Sequence, residues 1–172
     1  HDVVISSKSG RIIALAGDTG ETLWENQLDG DVILTPVWGF FTSDFPEIAV
    51  LHSDGQLDLL NAALGQIVFS GRLKSHQEGP RPNFSTAPSL LPIFKSERDS
   101  IMVIDDNQRI YRLALVRDQD TLELVDEWRH LNTTAAGHFP RHPLALAPIL
   151  KSEGAVEDYA VVLSSVANQV VA

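Results

Sequence analysis

The chain repeats itself at a spacing of forty-five residues: Gly10 and Gly20 recur as Gly55 and Gly65, Trp24 as Phe69 and Leu28 as Leu73. The run Val3-Val4-Ile5-Ser6 falls on Ile48-Ala49-Val50-Leu51, Ser9-Gly10 on Asp54-Gly55, and Thr19-Gly20 on Leu64-Gly65, without a gap. Within each copy, short apolar runs alternate with turn residues that supply positive φ or local side-chain hydrogen bonds. That is the pattern of strands joined by hairpins. In the first copy we expect strands at Val3 to Ser6, at Arg11 to Leu15 and in a third segment ending on Trp24, with turns at Lys8-Ser9-Gly10 and Gly17 to Gly20. A period in the forties with several short strands per unit is the signature of a propeller-type array.

Period-2 geometry places Val4, Ile12 and Ala14 on one side of this unit and Val3, Ile13 and Leu15 on the other. Both sides are apolar, as expected of a sheet held between two neighbours. Later units open on an apolar segment with proline. Pro36, Pro88 and Pro148 each stand 12 or 13 residues before a β-run, at Ile48, Ile101 and Val161. Polar breaks separate them: Thr42 to Asp44, Lys95 to Asp99 and Lys151 to Gly154. The third unit departs from the others in its last hairpin, where Leu115 to Asp120 replaces the glycine turn and Leu122 to Trp128 closes the sheet.

The expected fold is all-β: a partial β-propeller of four-stranded antiparallel blades, about three blades' worth, in one domain. Its units are approximately 1–31, 32–76, 85–130 and 144–172, the first lacking its opening strand and the last its closing ones. Three blades fall below the usual minimum of about four. The expectation is therefore an arc of a larger propeller, completed by missing blades of the same protein or by self-association. The chain also starts at His1 and not at Met, as a processed product or a piece of something larger would.

The segment Ala14-Leu15-Ala16-Gly17-Asp18-Thr19-Gly20-Glu21-Thr22-Leu23-Trp24 resembles the tryptophan-docking repeat of quinoprotein-like (PQQ-like) β-propellers. Ala16 stands where that family usually has Asp. The second unit keeps Gly65 but has Phe69 for Trp and Leu64 for Thr, and the third keeps Trp128 without the glycine. The resemblance implies blade-docking roles for Gly20, Trp24, Gly65, Phe69 and Trp128. The alternation of proline-containing apolar segments with Val-rich strands also resembles FG-GAP (integrin-α-like) repeats. The loop from Thr42 to Glu47 nevertheless lacks their Asp-x-Asp-x-Asp-Gly calcium spacing.

Quinoprotein dehydrogenases hold their cofactor with a calcium-binding carboxylate and Asn, a catalytic Asp, a stacked Trp and commonly vicinal cysteines. That constellation is not recognisable here, and the chain has no cysteine. Trp24, Trp38 and Trp128 read as core and docking residues. No phosphate loop, nucleophile elbow or zinc-protease motif is present. His130, His138 and His142 share one segment and are the candidate metal ligands, but a loop with Gly137, Pro140 and Pro143 has no helix to fix their spacing. The acidic pairs Asp29/Asp31, Asp105/Asp106 and Glu157/Asp158 read as turn residues.

A formal charge of −10 disfavours nucleic acid and anionic membrane surfaces as partners. No apolar run approaches the roughly 18 residues of a membrane span. Asn83-Phe84-Ser85 and Asn132-Thr133-Thr134 fit the N-glycosylation pattern. The expected function is a non-catalytic interaction or scaffolding module without a cofactor, exported, binding a protein partner through the inter-unit loops at Ser75 to Ser85 and Arg129 to Pro143. The alternatives are a fragment of a PQQ-dependent dehydrogenase and an FG-GAP-type calcium-binding adhesion module.

Overall fold

The computed structural model describes residues 1–30, 35–73, 82–91, 98–107, 109–118, 121–131, 145–150, 156–164 and 170–171, with side chains through Val116 and at Glu123 and Leu124. Every regular element among them is a strand. β1 (Val3–Ser6), β2 (Arg11–Leu15) and β3 (Thr22–Gln27) form the first sheet. β4 (Val37–Gly39), β5 (Glu47–Leu51), β6 (Gln56–Asn61) and β7 (Ile67–Arg72) form the second. β8 (Ser89–Leu91), β9 (Ser100–Ile104), β10 (Arg109–Asp118) and β11 (Thr121–Leu131) form the third, and β12 (Ala145–Leu150), β13 (Val156–Ser164) and β14 (Val170–Val171) the fourth. Each sheet is an antiparallel meander in chain order, as in a propeller blade. β12 lies at a sheet edge, where the missing N–H of Pro148 is tolerated.

The same turn closes the second hairpin of each complete blade and the first hairpin of blade 1. Ser7 N donates to Arg11 O at 2.8 Å, His52 N to Gln56 O at 2.8 Å and Asp105 N to Arg109 O at 3.0 Å. The first two turns rely on Gly10 and Gly55, at φ 85° and 84°, where an L side chain is disfavoured. The third has no glycine. There Asp105 Oδ1 accepts from Asn107 N and Arg109 N, so a side chain holds the turn. The chain then leaves each of the first two blades by one shared contact, from Leu28 N to Gly10 O and from Leu73 N to Gly55 O.

Two apolar clusters join the blades. Ile12, Ala14, Trp24 and Leu28 of the first meet Ile48, Val50 and Leu60 of the second. Val37, Phe41, Ala49, Leu51, Leu57 and Leu59 of the second meet Ile101, Val103, Tyr111, Leu113 and Leu124 of the third, with Phe84 between them. The third blade's opposite face buries Met102, Ile104 and Ile110. β5 and β9 are buried at every residue, the consequence of apolar side chains on both faces of a central strand. Each such side chain contributes about 1.5–3 kcal/mol by leaving water.

Three expectations need correction. β3 does not end on Trp24 but runs to Gln27, paired in register with Arg11. The first blade is not covered on both faces: Ile12 and Ala14 are buried, whereas Val3 and Ile5 on the other face are 49% and 47% exposed. The polar stretch Leu115 to Asp118 is strand and not loop, because β10 and β11 keep pairing as far as Asp118 with Thr121. Phe84, at the end of the expected inter-unit loop, is buried, bridges to Asp105 and stands edge-on to Tyr111 at 5.4 Å.

Candidate functional site

β4 and β5 are joined by Phe40 to Pro46, and this loop is held from below by two buried carboxylates. Glu47, 2% exposed, accepts from Phe41 N at 2.9 Å and Thr42 N at 2.7 Å through Oε2, and from the Thr42 hydroxyl through Oε1. A carboxylate taken out of water is tolerated when its lone pairs are filled in this way. Asp99, on the corresponding approach to β9, accepts from Phe40 N at 2.8 Å through Oδ2, while its own N–H donates to Phe40 O at 3.0 Å. Arg98 Nη1 reaches across the blades to Asp44 Oδ1 at 2.8 Å. The Ser43 hydroxyl contacts the Phe45 backbone at 3.2 Å.

The outcome is a fixed loop that points an apolar ring outward. Phe41 is buried, but Phe45 at the tip is 70% exposed. Trp38 on β4 is 53% exposed and stands edge-on to Phe40 at 5.2 Å. Trp38 is therefore not the core residue that the sequence suggested. Nothing in the sequence distinguishes Phe45 from Phe41, since the difference lies in which of them turns under the loop.

The same end of the sheets carries the contact between the first two blades. Trp24 Nε1 donates to Ala62 O at 2.9 Å, and Asn26 Nδ2 donates to Gly65 O at 2.8 Å. A Cβ added at Gly65, whose φ is +69°, would lie 2.5 Å from the Trp24 ring. Gly20, the first-unit counterpart at φ +72°, has no neighbour within 4 Å of such an atom. The structure thus brings Trp24 and Gly65 together and leaves Gly20 open. Phe69 occupies Trp24's place in the next blade, but its ring folds onto Gly71 of its own strand and joins the second apolar cluster. Trp128 and His130 pair in backbone register with Arg112 and Ile110; their side chains, like His138 and His142, lie outside the described residues.

Among the described residues no group of three His, Asp or Glu side chains is placed to hold a metal. Asp105 and Asp106 are each committed elsewhere. Asp105 Oδ2 accepts from the Tyr111 hydroxyl at 2.9 Å, and Asp106 engages the Asn83 amide and, at 2.5 Å, the Ser85 hydroxyl. Both polar side chains of the first sequon are thereby tied to Asp106. Asp31 and Asn132 lie outside the described residues, as do the side chains of Glu157 and Asp158.

A buried pair that sequence reasoning missed, His52 and Asp58, meets at 2.8 Å. It occupies the same hairpin positions as Asp105 and Tyr111 in the next blade, six residues apart across the turn. That shared spacing was its one sequence signal. Burial pushes the Asp58 carboxyl up, but hydrogen bonds from His52, Ser70 and Gln56 and attraction to the His52 ring outweigh this and hold it below the ordinary Asp value.

No protein-family model and no curated protein matches this chain. Among solved structures it is similar to BamB from Moraxella catarrhalis, with a TM-score of 0.56 and 17% identity over 98% of this chain and 45% of that one. Quinohemoprotein alcohol dehydrogenase from Comamonas testosteroni overlays at a TM-score of 0.44 and 13% identity over 95% of this chain and 38% of that one, too low to support an argument. The chain thus spans less than half the length of each of these two structures. The fold is that of part of a β-propeller, and the similarity to BamB does not support FG-GAP character.

Proposed function

We propose that this chain is a non-catalytic protein-interaction module, an arc of a larger propeller that presents the loop from Phe40 to Pro46 to an exported protein partner. The observation that carries the reading is Phe45, 70% exposed at the tip of a loop whose backbone is fixed by Glu47 and Asp99. A Phe left in water forgoes about 1.5–3 kcal/mol that burial would supply. On a preorganised loop, that contribution is available to a partner without an ordering cost. Aromatic anchors of this kind dominate interface energetics. Glu47 and Asp99 accept from backbone amides of the loop, which supports a structural role for both. The reading moves the contact from the loops between units to a loop within the second blade, because the described end of the first linker is anchored through Phe84 and Asp106.

A photo-crosslinking residue placed at Phe45, in cells of the source organism, tests this. We expect one discrete adduct in the exported fraction, absent when the same residue replaces Asp18, an exposed turn residue of the first blade. No adduct, or the same set from both positions, would contradict the reading.

A further inference from the structure

The loop that carries Phe45 is joined to a second fixed turn. Between β6 and β7, Asn61 Oδ1 accepts from Ala63 N and Leu64 N at 3.0 Å each, and Gly65 N donates to Asn61 O at 2.8 Å. Ala62 N donates to Pro46 O at 3.0 Å, so this turn and the Phe45 loop hold one another. Trp24 and Asn26 of the first blade pin the same turn through Ala62 O and Gly65 O. At its tip Leu64 is 60% exposed. The second blade thus ends in two apolar tips, Phe45 and Leu64, on backbones that are already ordered.

The charges around these tips are sorted by end. In an antiparallel meander alternate loops share an end: those after β2, β4, β6 and β8 lie at one, and those after β1, β5 and β9 at the other. The first end carries the exposed Asp18 and Glu21 in the β2–β3 turn, which the repeat superimposes on the Leu64 turn, and Asp44, exposed beside Phe45. Among the described residues, neither Asp18 nor Glu21 is in an ion pair. The described cationic side chains gather at the other end: Lys8 and Arg11 about the β1–β2 turn, Arg72 at the end of β7 and Arg109 at the start of β10. There Glu25 is matched by Arg11 and Asp54 by Arg72. The exceptions, Arg98 and Arg112, are engaged by Asp44 and Ser100. The end with the apolar tips therefore has carboxylates that no described cation balances.

Resting on the interaction reading of Phe45, we propose that this end receives a cationic segment of the partner. In it, one aliphatic or aromatic side chain contacts Phe45 and Leu64, and flanking Lys or Arg residues face Asp18, Glu21 and Asp44. The apolar contact supplies the buried anchor, and the charges select the partner and speed the encounter. An acidic segment would offer the same anchor but add like charge at an end that already has an excess of it.

The test titrates the full isotope-labelled chain with synthetic peptides that carry a central leucine flanked by lysines, by serines or by glutamates. The lysine peptide should shift the amide resonances of Phe45 and Leu64 and bind at least tenfold more tightly than the serine peptide at about 50 mM salt. That advantage should vanish at about 500 mM, where charges are screened within a few ångströms. The glutamate peptide should shift neither resonance. Asp18→Asn combined with Glu21→Gln should weaken the lysine peptide alone, at least threefold, whereas Phe45→Ala should weaken the lysine and serine peptides alike. All three side chains are exposed, so the fold is kept. Equal binding of the lysine and serine peptides at Phe45 and Leu64 overturns the charge assignment and leaves the reading of Phe45 standing. Shifts from the lysine peptide centred on Asp29 and Asp106, at the other end, overturn the site. No shift at Phe45 or Leu64 with any peptide overturns the proposal, and the adduct from Phe45 then decides the underlying reading separately.

Discussion

At the scale of single residues, Gly65 and Gly20 separate two effects that the repeat superimposes. Both have positive φ, so alanine at either position costs about 1 kcal/mol in backbone strain. Only Gly65 lies under the Trp24 ring. We expect Gly65→Ala to lower stability by a further 1–3 kcal/mol, roughly the cost of overpacking, and Gly20→Ala to show the backbone term alone. Urea unfolding midpoints compare the two, and equal losses would remove the ring contact from the account. Trp24→Phe keeps most of the ring but strips Ala62 O of its indole donor, for an expected loss of about 1 kcal/mol. The pair His52 and Asp58 gives the molecule a pH dependence of known sign. The folded carboxyl titrates below its unfolded value, so the unfolded chain binds more protons in the acid range. Its contribution is complete above the ordinary Asp value and is lost as pH falls through the folded one. Asp58→Asn should flatten the stability profile below about pH 4, measured by denaturant titration at a series of pH values.

At the scale of elements, turn chemistry and period-2 alternation made most strands legible. Val3 to Ser6 and Arg11 to Leu15 coincide with β1 and β2 because glycine turns punctuate them. The hairpin of β10 and β11 was not legible, since Arg117 and Asp118 have the composition of a loop and only pairing in register keeps them in strand. The candidate site was hidden for a different reason. Glu47, Asp99 and Asp105 are charged residues beside turns, which by default face water, and their burial follows from backbone donors assembled by tertiary structure. Trp38 reads as core in the sequence because it is a large apolar residue in an apolar run, whereas its exposure of 53% is set by the tertiary arrangement. The loop held by Glu47 yields its own expectation. Glu47→Ala removes the acceptor of two amides and one hydroxyl, and should cost about 1–3 kcal/mol. Hydrogen exchange at Phe41 and Thr42 should then accelerate far more than at Leu57 or Leu59. Uniform acceleration would mean that the loop is not a separately fixed unit.

At the scale of the whole molecule, antiparallel sheets follow one another along the chain, and apolar clusters join the first to the second and the second to the third. The interior sheets bury both faces of their central strands, while the first covers only the face toward Trp24 and Ile48. Local contacts within each meander explain how such units form, and the apolar clusters between them supply the neighbour terms of a repeat array. Residue-resolved amide hydrogen exchange on the intact chain tests this most directly, by comparing β1 with its equivalents β5 and β9. The account expects the most protected amides of β5 and β9 to exchange near the limit set by global unfolding, and those of Val3 to Ile5 to exchange at least a hundredfold faster. Protection of β1 equal to that of β5 and β9 would contradict it, because among the described strands β1 pairs only with β2 whereas β5 and β9 are each paired on both sides.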